Sequence, residues 1–120
     1  MSSSYNPTIQ QYSSWEIFLF LHNPDGSPFI LTDYSGESQI RPAYGSATIL
    51  ASPTVTVTDP TNGAIKVHLT KEQTALLSPA AHGAALPVWD VLLSNTDTSD
   101  TFVVAQGRVT VIPGVTQWVV

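Results

Sequence analysis

The sequence predicts an all-β protein, an immunoglobulin-like or related β-sandwich of about seven strands with one short helix at about residues 71–77. Three observations carry this expectation. The stretches Asn62 to Thr70, Val88 to Leu93 and Gln106 to Val111 alternate apolar with polar residues at a period of two, as strands with one buried face do. Asp59-Pro60-Thr61-Asn62-Gly63 is hairpin-turn chemistry between two apolar runs. At 120 residues with 42% hydrophobic side chains, the chain supports a single core and is too short for two.

Met1 to Ser14 carry no charged side chain and are rich in serine and glutamine. This segment is expected to be an extended N-terminal arm, with the single sandwich domain over residues 15–120. Tyr5, Ile9 and Tyr12 are the arm's adhesive points toward a neighbouring subunit; a disordered terminus is the alternative. Trp15 to His22 is β-branched and aromatic, and Asn23-Pro24-Asp25-Gly26 closes it as a turn. Trp15, Ile17, Leu19 and Leu21 form one stripe of this strand and Phe18 and Phe20 the other, which calls for a central strand or a partner over the second face.

Ser27 to Thr32 runs on toward Tyr34 to Arg41, where Tyr34, Gly36, Ser38 and Ile40 alternate with polar positions until Pro42 ends the pairing. Ala47 to Thr58 reads as a short strand pair broken at Pro53. In the next strand Ile65, Val67 and Leu69 face the core, with Lys66 and His68 outside. Thr70 and Gln73 have capping-box spacing at the start of the helix, and Pro79 stops it. Trp89, Val91 and Leu93 point inward. Thr101 to Ile112 is read as one long strand with Val103, Ala105, Gly107, Val109 and Val111 on one face. The end Trp118-Val119-Val120 is apolar, so it either completes an edge of its own sandwich or docks onto a neighbour.

Four basic residues against nine acidic ones give a formal charge of -5, which argues against nucleic acid or an anionic membrane as partner. With no cysteine, disulfides, thiolate metal sites and cysteine nucleophiles are excluded. Charged residues make up only 11% of the chain while aromatics reach 9%, which implies that other subunits cover part of the surface. The longest apolar run, Ile17 to Leu21, is too short to span a bilayer, and Met1 to Ser4 lacks the basic start of a signal peptide. Synthesis in the cytoplasm is the expectation.

Catalytic patterns are missing from the residues. His22, His68 and His82 have no metal-ligand spacing, and Gly-x-Ser-x-Gly, Gly-x-Gly-x-x-Gly and the P-loop pattern do not occur. Most aspartates fall in turns, and Asn95 to Asp100 reads as a polar hairpin tip rather than a calcium loop, lacking its glycine and closing glutamate. No enzyme activity, cofactor or metal is expected. Asp90 is the one charge assigned a structural role, through an ion pair with Arg41 or with Arg108 on a neighbouring strand.

The order of short motifs is more specific than any one of them. Leu31-Thr32-Asp33-Tyr34 leads to Gln39-Ile40-Arg41. Asn62-Gly63-x-Ile65-x-Val67-x-Leu69-Thr70 and Thr74-Ala75-Leu76-Leu77 follow, then Trp89-Asp90-Val91-Leu92-Leu93 and Gly107-Arg108-Val109-Thr110-Val111. This succession, over roughly residues 15 to 116, resembles the small β-sandwich virion proteins of tailed phages, similar to the N-terminal domain of baseplate upper proteins. It departs from that pattern at Asp33, where glycine is usual, and in the long loop from Ala80 to Pro87. The resemblance implies a structural virion protein, an oligomeric tail, baseplate or fibre-attachment component acting by protein–protein assembly, with no catalytic residues to carry over. A capsid cement or decoration protein is the alternative. A carbohydrate-binding module, with Trp15 and Trp118 as stacking platforms, is the alternative from another class. The candidate partner-binding residues are Tyr5, Ile9, Tyr12, Phe18, Phe20, Trp118, Val119 and Val120. The expected partners are other virion proteins and further copies of the chain.

Overall fold

The computed structural model describes residues 3–78 and 85–114. Among them, strands run in the order β1 (Ser3–Ser4), β2 (Thr8–Gln10), β3 (Trp15–Phe20), β4 (Tyr34–Arg41), β5 (Thr54–Asp59), β6 (Ala64–Leu69), β7 (Val88–Asn95), β8 (Thr101–Arg108) and β9 (Thr110–Ile112). A helix, α1 (Lys71–Ala75), lies between β6 and β7. One sheet has the order β1-β8-β7-β4 and the other β3-β6-β5, while β2 pairs with β9. Pairing is antiparallel except for β1 with β8 and β2 with β9, which are parallel. Two sheets on 3-6-5 and 4-7-8, with the first two strands paired to the last two, are the arrangement of an immunoglobulin-like β-sandwich.

The period-two pattern explains the layers. Ile65, Val67 and Leu69 of β6 and Trp89, Val91 and Leu93 of β7 are buried, and they meet between the sheets with Ile40 and Val104. Between them Lys66, His68, Asp90 and Leu92 turn outward and are half-buried. Trp15 and Trp89 pack edge to face at 6.1 Å, and Phe29, Tyr34 and Phe102 form a triad of T-shaped pairs at 5.6–5.8 Å.

Local chemistry closes the elements as expected at two places. Thr70 Oγ1 accepts from the Gln73 amide while Gln73 Oε1 accepts from the Thr70 amide, a complete capping box. Pro60–Asn62 form a single 3-10 turn ended by Gly63 at φ +67°, joining β5 to β6. A Cβ on Gly63 would also lie 2.4 Å from the Leu21 carbonyl oxygen, so both the backbone angle and the space require glycine. Asp33, where the resemblance has glycine, likewise takes φ +67°. Its carbonyl accepts from the Thr96 amide at 2.7 Å and hydroxyl at 3.0 Å, which ties the β3–β4 connection to the β7–β8 turn.

Five expectations need correction. Residues 3–14 are not an arm apart from the body: β1 and β2 pair with β8 and β9, and Ile9 is fully buried. Thr74 Oγ1 and Gln11 Nε2 tie this segment to α1 through the Ser13 and Leu77 carbonyls. β3 is not central, because it pairs with β6 alone and forms the end of its sheet. The stretch 47–53 contributes one isolated bridge, Ile40 to Ala51, and not a strand. Thr101 to Ile112 is two strands, and a register shift opposite Val91 and Leu92 breaks the alternation, so that Val104 and Ala105 are buried consecutively while Val103 turns outward. α1 also ends at Ala75, short of the expected residue 77.

Candidate functional site

Two outer sheet faces carry the surface chemistry. The first belongs to β3, β6 and β5. Cross-strand pairing sets Glu16 opposite His68 and Phe18 opposite Lys66, with Thr54 and Thr56 beyond them on β5. Phe18 is 52% and Phe20 61% exposed. Glu16 and His68 approach to 3.6 Å between carboxylate and Nδ1, which is too long for a hydrogen bond. The other side of β3 is paired by no described strand, so an apolar stripe lies directly beside an open edge.

The predicted adhesive residues therefore separate. Phe18 and Phe20 stand together on this face. Ile9 is excluded from partner contact by its place in the core. Tyr5 is 39% exposed but is held in the fold: its carbonyl accepts from Trp89 Nε1 at 2.8 Å and its ring meets that indole edge on at 6.1 Å. Tyr12, at φ +65°, is half-buried where β2 turns toward β3. Trp15 packs on Trp89 between the sheets and is no open platform for a sugar ring. Trp118, Val119 and Val120, together with His82, lie outside the described residues.

The second face belongs to β4, β7 and β8. Asp90 pairs in register with Gln39 on one side and Gln106 on the other, so a carboxylate stands between two amides. One step along, Val88 stands between Arg41 and Arg108, and Leu92 between Glu37 and Val103. The expected ion pair of Asp90 is absent: Arg108 is opposite Val88, and its guanidinium donates instead to the Leu86 carbonyl at 3.0 Å. Arg41 donates to Gln39 Oε1 at 2.7 Å and 3.2 Å and to the Ser46 carbonyl. Burial raises the Asp90 carboxyl above the ordinary 3.8, with the Arg41 charge opposing in part.

Glu37, Gln39, Arg41, Val88, Asp90 and Leu92 of β4 and β7 border an open cleft of about 250 Å3, lined on one side by the loop after β4 that carries Tyr44. Tyr44 is 69% exposed and has the Arg108 guanidinium 5.9 Å from its ring centre. Gln39, Tyr44 and Gln106 were not singled out from the sequence. Asp90 was, but only strand register reveals its glutamine neighbours. Among the described residues no group of three or more histidine, aspartate or glutamate side chains is placed to hold a metal ion.

No protein-family model matches the chain, and no curated protein does. Among solved structures, the N-terminal Ig1-2 module of the Drosophila receptor protein tyrosine phosphatase DLAR is similar at 10% identity and a TM-score of 0.40, over 92% of this chain. The chain spans 46% of the length of that module.

Proposed function

We propose that this chain is a non-enzymatic structural protein of a tailed-phage particle, assembling with copies of itself and with other virion proteins at the tail, baseplate or fibre-attachment point. The observation that carries assembly is the pair Phe18 and Phe20, more than half exposed beside the open edge of β3. Exposed aromatic side chains next to unpaired backbone groups favour strand-edge docking, in which main-chain hydrogen bonds provide affinity and side chains specificity. The low charge of the chain, 11%, works in the same direction by lowering the desolvation cost of contact. The phage assignment is supported by the order of motifs from Leu31 to Val111.

The virion assignment is tested by searching purified particles, made from the genome that encodes the chain, by mass spectrometry and antibody labelling. Label on the tail or baseplate is the expected result. Label on the head favours a capsid decoration protein, and absence from the particle contradicts the proposal.

A further inference from the structure

The row Gln39, Asp90, Gln106 is an arrangement that sheet stability does not require. The Asp90 and Gln106 side chains make no hydrogen bond or ion pair among the described residues, although Asp90 is half-buried and desolvated. Both arginines nearby are committed, Arg41 to Gln39 and Ser46 and Arg108 to Leu86, so their charge is present but their donors are partly used. A carboxylate left without partners while cations stand near it is poised for hydroxyl or amide donors from outside.

We propose that this cleft binds a neutral pyranose sugar, with the Asp90 carboxylate and the Gln39 amide meeting neighbouring hydroxyls and the Tyr44 ring covering an apolar face of the sugar. Charge disfavours an anion: the lining carries Glu37 and Asp90 against Arg41 alone. Hydrogen-bond inventory selects hydroxyls. The Asp90 carboxylate only accepts, and Gln39 has its amide nitrogen free to donate once Oε1 is taken by Arg41. Each sugar hydroxyl donates and accepts, which matches that mixed set. Size selects one ring, because the cleft of about 250 Å3 lies below the range of drug-sized pockets. Tyr44 supplies the apolar surface that sugar C–H groups need, steadied on one face by Arg108. The site lies on the sheet opposite Phe18 and Phe20 and does not depend on the assembly proposal.

The test is a titration of the isotope-labelled full chain with glucose, galactose, mannose and N-acetylglucosamine, followed by NMR. The expected result is saturable, millimolar binding of at least one of these sugars, with shifts confined to the Gln39 side-chain amide and the Tyr44 ring. Asp90→Asn and Tyr44→Ala should each weaken it about tenfold, the cost of one strong contact. Phe18→Ser should leave it unchanged, and the dispersion of each variant's spectrum reports its fold. Saturable shifts from none of the four sugars, shifts elsewhere, or binding that survives both cleft substitutions overturns the proposal. So does perturbation of the same signals by raising protein concentration without sugar, which would mean that another copy covers the cleft.

Discussion

The indole Nε1 of Trp89 donates a 2.8 Å hydrogen bond to the backbone carbonyl of Tyr5, joining the centre of the β1-β8-β7-β4 sheet to the first residues of the chain. Trp89 is 2% exposed, so its indole donor is buried, while Tyr5 on the accepting side is 39% exposed. Trp89→Phe removes the donor and leaves the Tyr5 carbonyl unpaired by it. We predict a loss of about 1–3 kcal/mol of stability, read from urea denaturation midpoints at unchanged slope.

Gly107 sits where the same segment crosses β8. A Cβ there would stand 2.1 Å from the Tyr5 carbonyl oxygen and 2.6 Å from Asn6 Oδ1, which itself accepts from the Arg108 amide. Gly107→Ala is predicted to cost about 1–3 kcal/mol by overpacking. It should also speed hydrogen exchange at the Tyr5 amide, whose partner is the Gln106 carbonyl, more than at β6 amides.

Ile9 and Phe18 give opposite predictions although both were candidates for partner contact. Ile9 is fully buried, so Ile9→Ala should destabilise the isolated chain by about 2–5 kcal/mol. Phe18→Ser, at an exposed position, should change the folding stability of the dilute monomer by no more than about 0.5 kcal/mol. Thermal and urea unfolding at low concentration separate the two.

Asp90 makes a prediction in pH. Its folded carboxyl titrates above 3.8, so between 3.8 and that raised value the native state holds more protons than the unfolded one. Stability contributed by this group therefore falls as pH rises through that window. Asp90→Asn should be stabilising relative to wild type at neutral pH and lose that advantage below 3.8. Asp25 and Asp59 act with the opposite sign. Hydrogen bonds from Ser27 hold the first, and from Asn62 and Thr61 the second, below 3.8. Their contribution is present above 3.8 and is lost as pH falls through the lowered values. Comparing the pH dependence of wild type with Asp90→Asn isolates the Asp90 part.

The inward faces of β6 and β7, the turn at Gly63 and the Thr70 cap were legible because each rests on local pattern: period two, turn chemistry and capping spacing. The role of residues 3–14 was not. Their pairing with β8 and β9 spans about a hundred residues, and polar, uncharged strands of two and three residues carry almost no periodic signal. Gly107 inside an alternating strand was the available clue to a close backbone approach. The bulge at Val91 and Leu92 was also hidden, since one extra residue reverses the alternation without changing composition. Of the surface chemistry, Phe18 and Phe20 could be read from one strand, whereas the Gln39, Asp90, Gln106 row exists only across three.

Assembly through the β3 face is tested most directly by the native mass of the purified chain, measured by light scattering over a concentration series, beside the Phe18→Ser/Phe20→Ser double variant. The account predicts that wild-type mass rises with concentration to a defined oligomer, while the double variant, equally well folded, remains at the 12.9 kDa of one chain. A wild-type chain that stays monomeric at every concentration, or a double variant that assembles equally well, would contradict it.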